Sequence, residues 1–241
     1  QPGADLSREI PALSEPIVDG KITSAEQLMH IADDLSGSYT LEADIDLSGI
    51  DWAPLGSEST PFTGSFNGNG HLISGLRVNG AKANNVGLFG VIGETGTVSS
   101  VRIGGASVTG STYAGILAGR SFGTVSDCSV NGSVTAYACG GGLIGQNTGR
   151  ISGCIAAATV SSTGGDSMGG LVGMNSGNLN SGKGEITTSL AGGTVLGAAN
   201  AGGLVGQDDC GTISNCYAMA NVSGTAYVGG FAGHIGRSYG N

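Results

Sequence analysis

Apolar and small residues alternate with polar ones along four stretches of the chain: Cys128, Val130, Gly132, Val134; Cys154, Ala156, Ala158, Val160; Ser189, Ala191, Gly193, Val195; and Cys216, Ala218, Ala220, Val222. A period of two marks a β-strand with one buried face, so these residues are expected to point inward. Each stretch follows a short signature: Gly123-Thr124-Val125-Ser126, Gly149-Arg150-Ile151-Ser152, Gly184-Glu185-Ile186-Thr187 and Gly211-Thr212-Ile213-Ser214, with an earlier copy at Gly96-Thr97-Val98-Ser99. Between the stretches come glycine-bracketed apolar pairs, Gly87-Leu88-Phe89-Gly90, Gly142-Leu143-Ile144-Gly145, Gly170-Leu171-Val172-Gly173, Gly203-Leu204-Val205-Gly206 and Gly230-Phe231-Ala232-Gly233, with Ile116-Leu117-Ala118-Gly119 as a degenerate copy. The closing glycines recur every 26 to 29 residues, except for one longer step from Gly173 to Gly206 that an insertion around Asn178 to Lys183 accounts for. That is the spacing of a structural repeat.

A unit of this length, built of short strands and glycine turns, cannot bury its apolar face alone, whereas stacked copies can. At ~3.3 Å per strand residue, roughly 27 residues describe one turn of a three-sided coil, with equivalent residues of successive turns ~4.8 Å apart as parallel neighbours. The expected fold class is all-β, a right-handed parallel β-helix. A β-propeller also repeats, but its four-stranded blade takes about 40 residues or more.

The amino end departs from the pattern. Residues 1–20, with Pro2, Pro11 and Pro16, read as an arm or linker. From Thr23 to Leu35 the apolar residues Leu28, Ile31, Ala32 and Leu35 fall at helical spacing behind Ser24 or Thr23 as N-cap, with Gln27 or Glu26 three residues on. This predicts one short amphipathic helix that covers the first coil, since an open solenoid end exposes both core and strand edges. Strands are expected over Tyr39–Leu47, Phe62–Phe66 and Leu72–Val78, around the turn Asn67-Gly68-Asn69-Gly70, with Trp52 as a packing anchor. The division is then an arm over 1–20, capping helix and opening coils over 21–80, and repeats over 81–241 ending without a cap. The chain starts at Gln1 with no apolar leader, which suits a processed exported chain or an excised piece.

Composition narrows the function classes. Glycine reaches 48 of 241 residues with aromatics at 5%, a lean core without the collagen period. Twelve of the eighteen acidic residues lie between Asp5 and Glu58, leaving the repeats almost uncharged. A net charge of -9 with nine scattered Lys and Arg residues offers no basic stripe, so neither nucleic acid nor an anionic membrane is an expected partner. No apolar run is long enough to span a bilayer, so no membrane insertion is expected.

Five cysteines would first suggest disulfides in an exported protein. Cys128, Cys154 and Cys216 share one repeat position, however, with Ser189 in place of the missing member, which predicts an inward ladder of buried thiols. Cys139 and Cys210 fall outside the ladder and have no assigned role. No zinc-type spacing is present.

Candidate chemistry is sparse. The repeats hold Glu94, Asp127, Asp166, Glu185, Asp208 and Asp209 at unrelated repeat positions, and adjacent Asp208 and Asp209 are expected to diverge rather than act as an acid/base pair. Asp44, Asp46 and Asp51 are candidate calcium ligands, with turn capping as the alternative. His30, His71 and His234 have no metal-ligand spacing, and H-E-x-x-H is missing. The outward row Ser133, Thr159, Thr194 and Asn221 only partly matches a flat ice-binding array. No catalytic residue and no cofactor is expected.

Both middle residues of each glycine cassette are apolar. If Leu88, Leu143, Leu171 and Leu204 point inward, strand alternation turns Phe89, Ile144, Val172 and Val205 outward as an apolar interaction stripe. The alternative is a glycine-induced kink that turns both residues inside, and the exposure of Ile144 and Val172 decides between them. The last coil lacks any cap-like sequence, so it is expected to stack on a neighbouring domain, a longer chain or a second copy.

The Gly-Leu-Val-Gly cassettes followed by Gly211-Thr212-Ile213-Ser214-Asn215-Cys216-Tyr217-Ala218 resemble the GLUG repeat of bacterial surface and secreted proteins, including the non-catalytic part of some IgA-cleaving metallopeptidases. Ile22-Thr23-Ser24-Ala25-Glu26-Gln27-Leu28, Asp44-Ile45-Asp46-Leu47-Ser48 and Phe66-Asn67-Gly68-Asn69-Gly70-His71 resemble the entry region before such repeats, so the likeness spans residues 21–236. It implies a non-catalytic, extracellular or cell-surface β-helical stalk, adhesion or interaction module of a larger protein, with an unidentified protein or glycan as partner. The alternatives are a polysaccharide-active β-helix enzyme and an accessory domain of a secreted peptidase.

Overall fold

One inward side chain of each coil sits directly above that of the coil before. Tyr39 pairs with Phe66, Phe66 with Val98, Val98 with Val125, Val125 with Ile151, Ile151 with Ile186 and Ile186 with Ile213, every step parallel and in register. This column is the first wall of a β-solenoid seen in a computed structural model that describes residues 15–177 and 183–236. Most of the arm and of the insertion at 178–183 lies outside the described residues.

Three parallel sheets line the coil. The first has eight strands, from Lys21–Ile22 to Thr212–Ser214, and spans roughly 34 Å along the axis at ~4.8 Å per step. The second is the long wall, whose main strands are Arg102–Ala114, Ser129–Gly141, Ile155–Ser162 and Leu190–Leu196. The third runs from Phe89–Ile92 through Ala118–Ser121, Ile144–Asn147, Val172–Ser176 and Val205–Asp209 to Ala232–Gly236.

The corner between first and second sheets is made by one left-handed residue per coil: Asn69, Ser100, Asp127, Gly153, Thr188 and Asn215, with φ from 48 to 63°. Asn and Asp tolerate this region, and Gly enters it freely. The corner backbone stays in the ladder, since Asp127 N donates to Ser152 O at 3.0 Å and Thr188 N to Ser214 O at 3.1 Å. Past the corner the alternation read from the sequence holds, with Cys154, Ala156, Ala158 and Val160 all buried. One β-bulge interrupts it, where Gly104 and Gly105 stand against the single residue Asn131.

The amino end is closed as expected by a helix, shorter than its apolar spacing suggests. Ala25–Met29 is α-helical (α1) and His30–Asp33 continues as a 3-10 turn. Ser24 caps it by accepting from Gln27 N at 3.2 Å, while Gln27 Oε1 accepts from Thr23 N at 2.8 Å, one residue before the cap position of a capping box. Leu28 and Ile31 are fully buried against the first coil. Trp52 is buried among the opening coils, its indole N–H donating to Leu88 O at 2.9 Å.

Candidate interaction surfaces

The apolar stripe expected on the outside does not exist: Phe89, Ile144, Val172 and Val205 are all fully buried. Strand alternation fails there because the chain turns a corner inside the cassette. Leu143 N and Ile144 N both donate to Leu171 O, at 2.9 and 3.2 Å, so consecutive side chains are carried to the same side. The opening glycine makes this possible, since a Cβ on Gly142 would lie 2.2 Å from Gly170 O of the next coil. The cassette is therefore an inward fold of the coil, and Leu143 and Ile144 are both core.

That fold leaves a seam running along the axis, packed shut at its base: the closing glycines Gly119, Gly145, Gly173 and Gly206 are buried, and the corner backbone of the preceding coil lies against them and against Gly233. A Cβ on Gly145 would lie 2.6 Å from Ala114 N, and one on Gly173 2.6 Å from Cys139 C. One bank is a second set of left-handed residues, Asn85, Tyr113, Cys139, Ser167, Asn200 and Tyr227, with φ from 49 to 65°. Aromatic, thiol and hydroxyl side chains rarely adopt that backbone, so the corner geometry overrides local preference here. The other bank is the residue after each closing glycine, paired coil to coil as Val91, Arg120, Gln146, Met174, Gln207 and His234.

Side chains meet across the seam. The Arg120 guanidinium lies 4.9 Å from the ring centres of both Tyr113 and Phe122, and its Nη1 is 2.6 Å from Glu58 Oε1. Ser167 Oγ and Asn200 Nδ2 donate to Gln207 Oε1 at 3.0 and 3.2 Å, and Gln207 Nε2 donates to Asp209 Oδ2 at 2.9 Å. Tyr227 meets His234 edge-on at 5.9 Å. Cys139, unassigned from sequence, lies in this bank, and burial aided by the Asp166 carboxylate pushes its thiol up to about 11. The cassettes marked the base in the sequence, but neither bank has a consensus residue type by which it could be read.

The calcium candidates do not converge. Asp44 accepts from Leu72 N at 2.9 Å and from His71 at 3.1 Å, Asp46 accepts from Ser48 N at 2.9 Å, and Asp51 faces Arg77 at 3.8 Å. Backbone and side-chain donors hold the exposed Asp44 and Asp46 carboxyls below the ordinary carboxylate range. Among the described residues no group of three or more His, Cys, Asp or Glu is arranged to hold a metal ion. Asp208 and Asp209 diverge: Asp208 is buried and accepts from Asn175 Nδ2 at 2.7 Å, whereas Asp209 joins the seam. Asn147 in turn donates to Asn175 Oδ1 at 2.8 Å, so Asn147, Asn175 and Asp208 form an internal amide ladder. Burial raises the Asp208 carboxyl, against the hydrogen bond from Asn175.

Cysteine and serine are interchangeable on the inner face. Cys128, Cys154, Ser189 and Cys216 each donate to the carbonyl two residues back, at 3.1, 3.3, 2.8 and 3.1 Å. All five cysteines are thiols.

The terminal coil differs sharply from the one beneath it. Phe231 is 41% exposed where Leu204 is fully buried, Ile235 and Tyr217 are 69% and 68% exposed, and Ile213 is only half-buried where Ile186 has no exposure. From Gly211 to Gly236 this coil contains no Asp, Glu, Lys or Arg.

Comparison with known proteins relates the chain to parts of longer ones. No family model matches the sequence. Halomucin of Haloquadratum walsbyi is 38% identical over 120 residues, 46% of this chain and 1% of that protein. A protein of Evansella cellulosilytica provisionally named a Gly-rich membrane protein is 38% identical over 93 residues, 37% of this chain and 11% of that protein. The chain thus spans a small part of each curated relative. Among solved structures, a protein of Bacteroides ovatus provisionally named an immunoglobulin A1 protease superposes with a TM-score of 0.71 at 23% identity, over 90% of this chain and 70% of the other. That likeness is one of fold: both chains contain the β-solenoid.

Proposed function

We propose that the chain is a non-catalytic, extracellular β-helical module of a larger surface or secreted protein of the GLUG-repeat type, serving as a rigid stalk that presents an interaction surface. The observation that carries the reading is the unbroken parallel register from Lys21 to Ser214, which makes each coil the template for the next. Such a scaffold transmits position and load rather than closing over a substrate. The uncharged, apolar terminal coil suits stacking against another coil of the longer protein. Relatives in which the matched region is 1% and 11% of the length support membership in such large chains.

Incubating the purified chain with polysaccharides and immunoglobulin A1 tests the reading. Unchanged substrates are expected, and release of any cleavage product overturns it. The bare face is read by sedimentation velocity, where concentration-dependent self-association should vanish in Phe231→Asp. A second reading, an accessory domain of a secreted peptidase, is favoured by the Bacteroides ovatus likeness. It predicts retention of immunoglobulin A1 without cleavage.

A further inference from the structure

The inner-face ladder holds one pair of thiols in adjacent coils. Ser126 pairs with Ser152 and Ser129 with Ile155, so Cys128 and Cys154 between them stand in register, one coil apart. Neighbouring parallel strands put such Cα atoms ~4.8 Å apart, inside the window of about 4.4–6.8 Å that a disulfide needs. Cys216 is two coils beyond Cys154, with Ser189 between, or roughly 9.6 Å on the same spacing, and Cys139 and Cys210 sit at other corners of the coil. Both sulfurs of the close pair lie inside the solenoid, and each reaches toward the coil before its own. Cys154 Sγ is 4.0 Å from Val125 O, on the coil that carries Cys128, and Cys128 Sγ is 4.0 Å from Val98 O, one coil further back. Cys154 thus leans toward Cys128, and a turn of the Cys128 side chain about its Cα–Cβ bond brings the two sulfurs together. That turn gives up one bond, from the Cys128 thiol to Ser126 O at 3.1 Å, and a thiol is a weak donor. Contact between the two thiols lowers Cys154 and raises Cys128, which makes Cys154 the readier thiolate.

We propose that Cys128 and Cys154 are an oxidation site, closing as a disulfide that ties one coil of the solenoid to the next. The proposal deepens the stalk reading and rests on it for its setting, because exported proteins meet an oxidising environment. The oxidant is a small-molecule disulfide. The Cys154 thiolate, its proton released to water, attacks one sulfur of that molecule, forming a mixed disulfide and freeing one small thiolate. The Cys128 thiol passes its proton to that thiolate, and its sulfur then attacks the Cys154 sulfur. The second small thiolate leaves and takes a proton from water, so two protein thiols are oxidised and one small disulfide is reduced to two thiols. Cys128 is 1% exposed and Cys154 fully buried, so the exchange takes place while the coil is open, during folding. The closed ring runs once around the solenoid, and its bond restrains the unfolded chain over that one coil. Ser189, which carries no thiol, ends the ladder above the pair, so the bond is confined to these two coils.

Refolding the intact 241-residue chain from denaturant in a buffer of reduced and oxidised glutathione tests the proposal. The five thiols should fall to three when counted after denaturation, with the loss of two hydrogen atoms in the intact mass and one cross-linked peptide pair containing Cys128 and Cys154. The midpoint of denaturant unfolding should rise relative to the reduced chain. In Cys154→Ser the bond and the gain should both be lost. That variant keeps the fold, since Ser189 already fills the same position and donates to the carbonyl two residues back at 2.8 Å. Cys139→Ser should form the bond as the wild type does. Incubating the native chain in the same buffer near its unfolding midpoint gives the same count without full refolding. Five persisting thiols, a bond to Cys139, Cys210 or Cys216 in place of this one, or a bond that lowers the midpoint overturns the proposal. None of these outcomes bears on the non-catalytic stalk, whose failure is read from substrate cleavage.

Discussion

The opening coils and the repeats fill the same cross-section by opposite means. Near the cap, Phe62, Phe66 and Phe89 pack ring against ring, with centroids 5.0 and 5.6 Å apart, and Trp52 is buried nearby. In the repeats the stacked equivalents are smaller or polar, Val125 and Ile151 in the Phe66 column, Ala118 and Ile144 in that of Phe89, and Ser121 and Asn147 in that of Phe62, and the coil closes up by folding its cassettes inward over glycine. A wide coil needs large side chains, whereas a pinched coil needs missing ones. The two regions should therefore fail in opposite directions when volume changes.

The largest expected effect is at the wide end. Phe89→Ala empties the ring cluster and should cost about 3–5 kcal/mol of unfolding free energy, measured by denaturant titration. At the pinched end the reverse change does the damage. Gly145→Ala forces a methyl onto the Tyr113–Ala114 backbone and should cost about 1–3 kcal/mol, while a Phe89→Leu change that keeps most of the volume should cost less than Phe89→Ala. If Gly145→Ala were neutral, the contrast between the regions would collapse.

A smaller effect sharpens the comparison through polar groups. The repeats replace part of the missing apolar core with the Asn147–Asn175–Asp208 ladder. Asn175→Ala leaves two buried partners without their bonds and should cost about 1–3 kcal/mol. Asp208 adds a pH dependence with a definite sign. Its folded carboxyl titrates above the ordinary value of 3.8, so the native state keeps a proton that the unfolded chain has released. Its contribution to stability thus falls as pH rises from about 3.8 and levels off above the raised value. Asp208→Asn keeps the acceptor for Asn175 and should raise the melting temperature at neutral pH but not at strongly acid pH. A gain of equal size at both would point away from ionisation.

The column was legible because period two and the 26–29-residue spacing are both written in residue type. Stacking identical positions then left one architecture, and Val125, Ile151, Ile186 and Ile213 were placed correctly from spacing alone. At Phe89, Ile144, Val172 and Val205 the sequence left an outward stripe and an inward glycine kink open, and the burial of all four selects the kink, because alternation presumes a straight strand. A corner that shares one carbonyl between two successive N–H groups breaks that presumption. The seam was invisible for a related reason: its left-handed bank holds Tyr, Cys, Ser and Asn where backbone preference asks for Gly, so tertiary packing sets the conformation and residue type carries no trace of it. The amide ladder needed the pairing of Asn147 with Asn175 and Asp208 across separate coils, which the longer step after Gly173 had obscured.

The seating of each corner on the glycine of the next coil has a consequence for change. A Cβ on Gly145, Gly173, Gly206 or Gly233 would meet the preceding corner's backbone at 2.4–2.6 Å, whereas the residues that follow them are Gln146, Met174, Gln207 and His234. The demand on residue type therefore falls on the glycines, and the position beside them accepts unlike side chains while the backbone is copied from coil to coil.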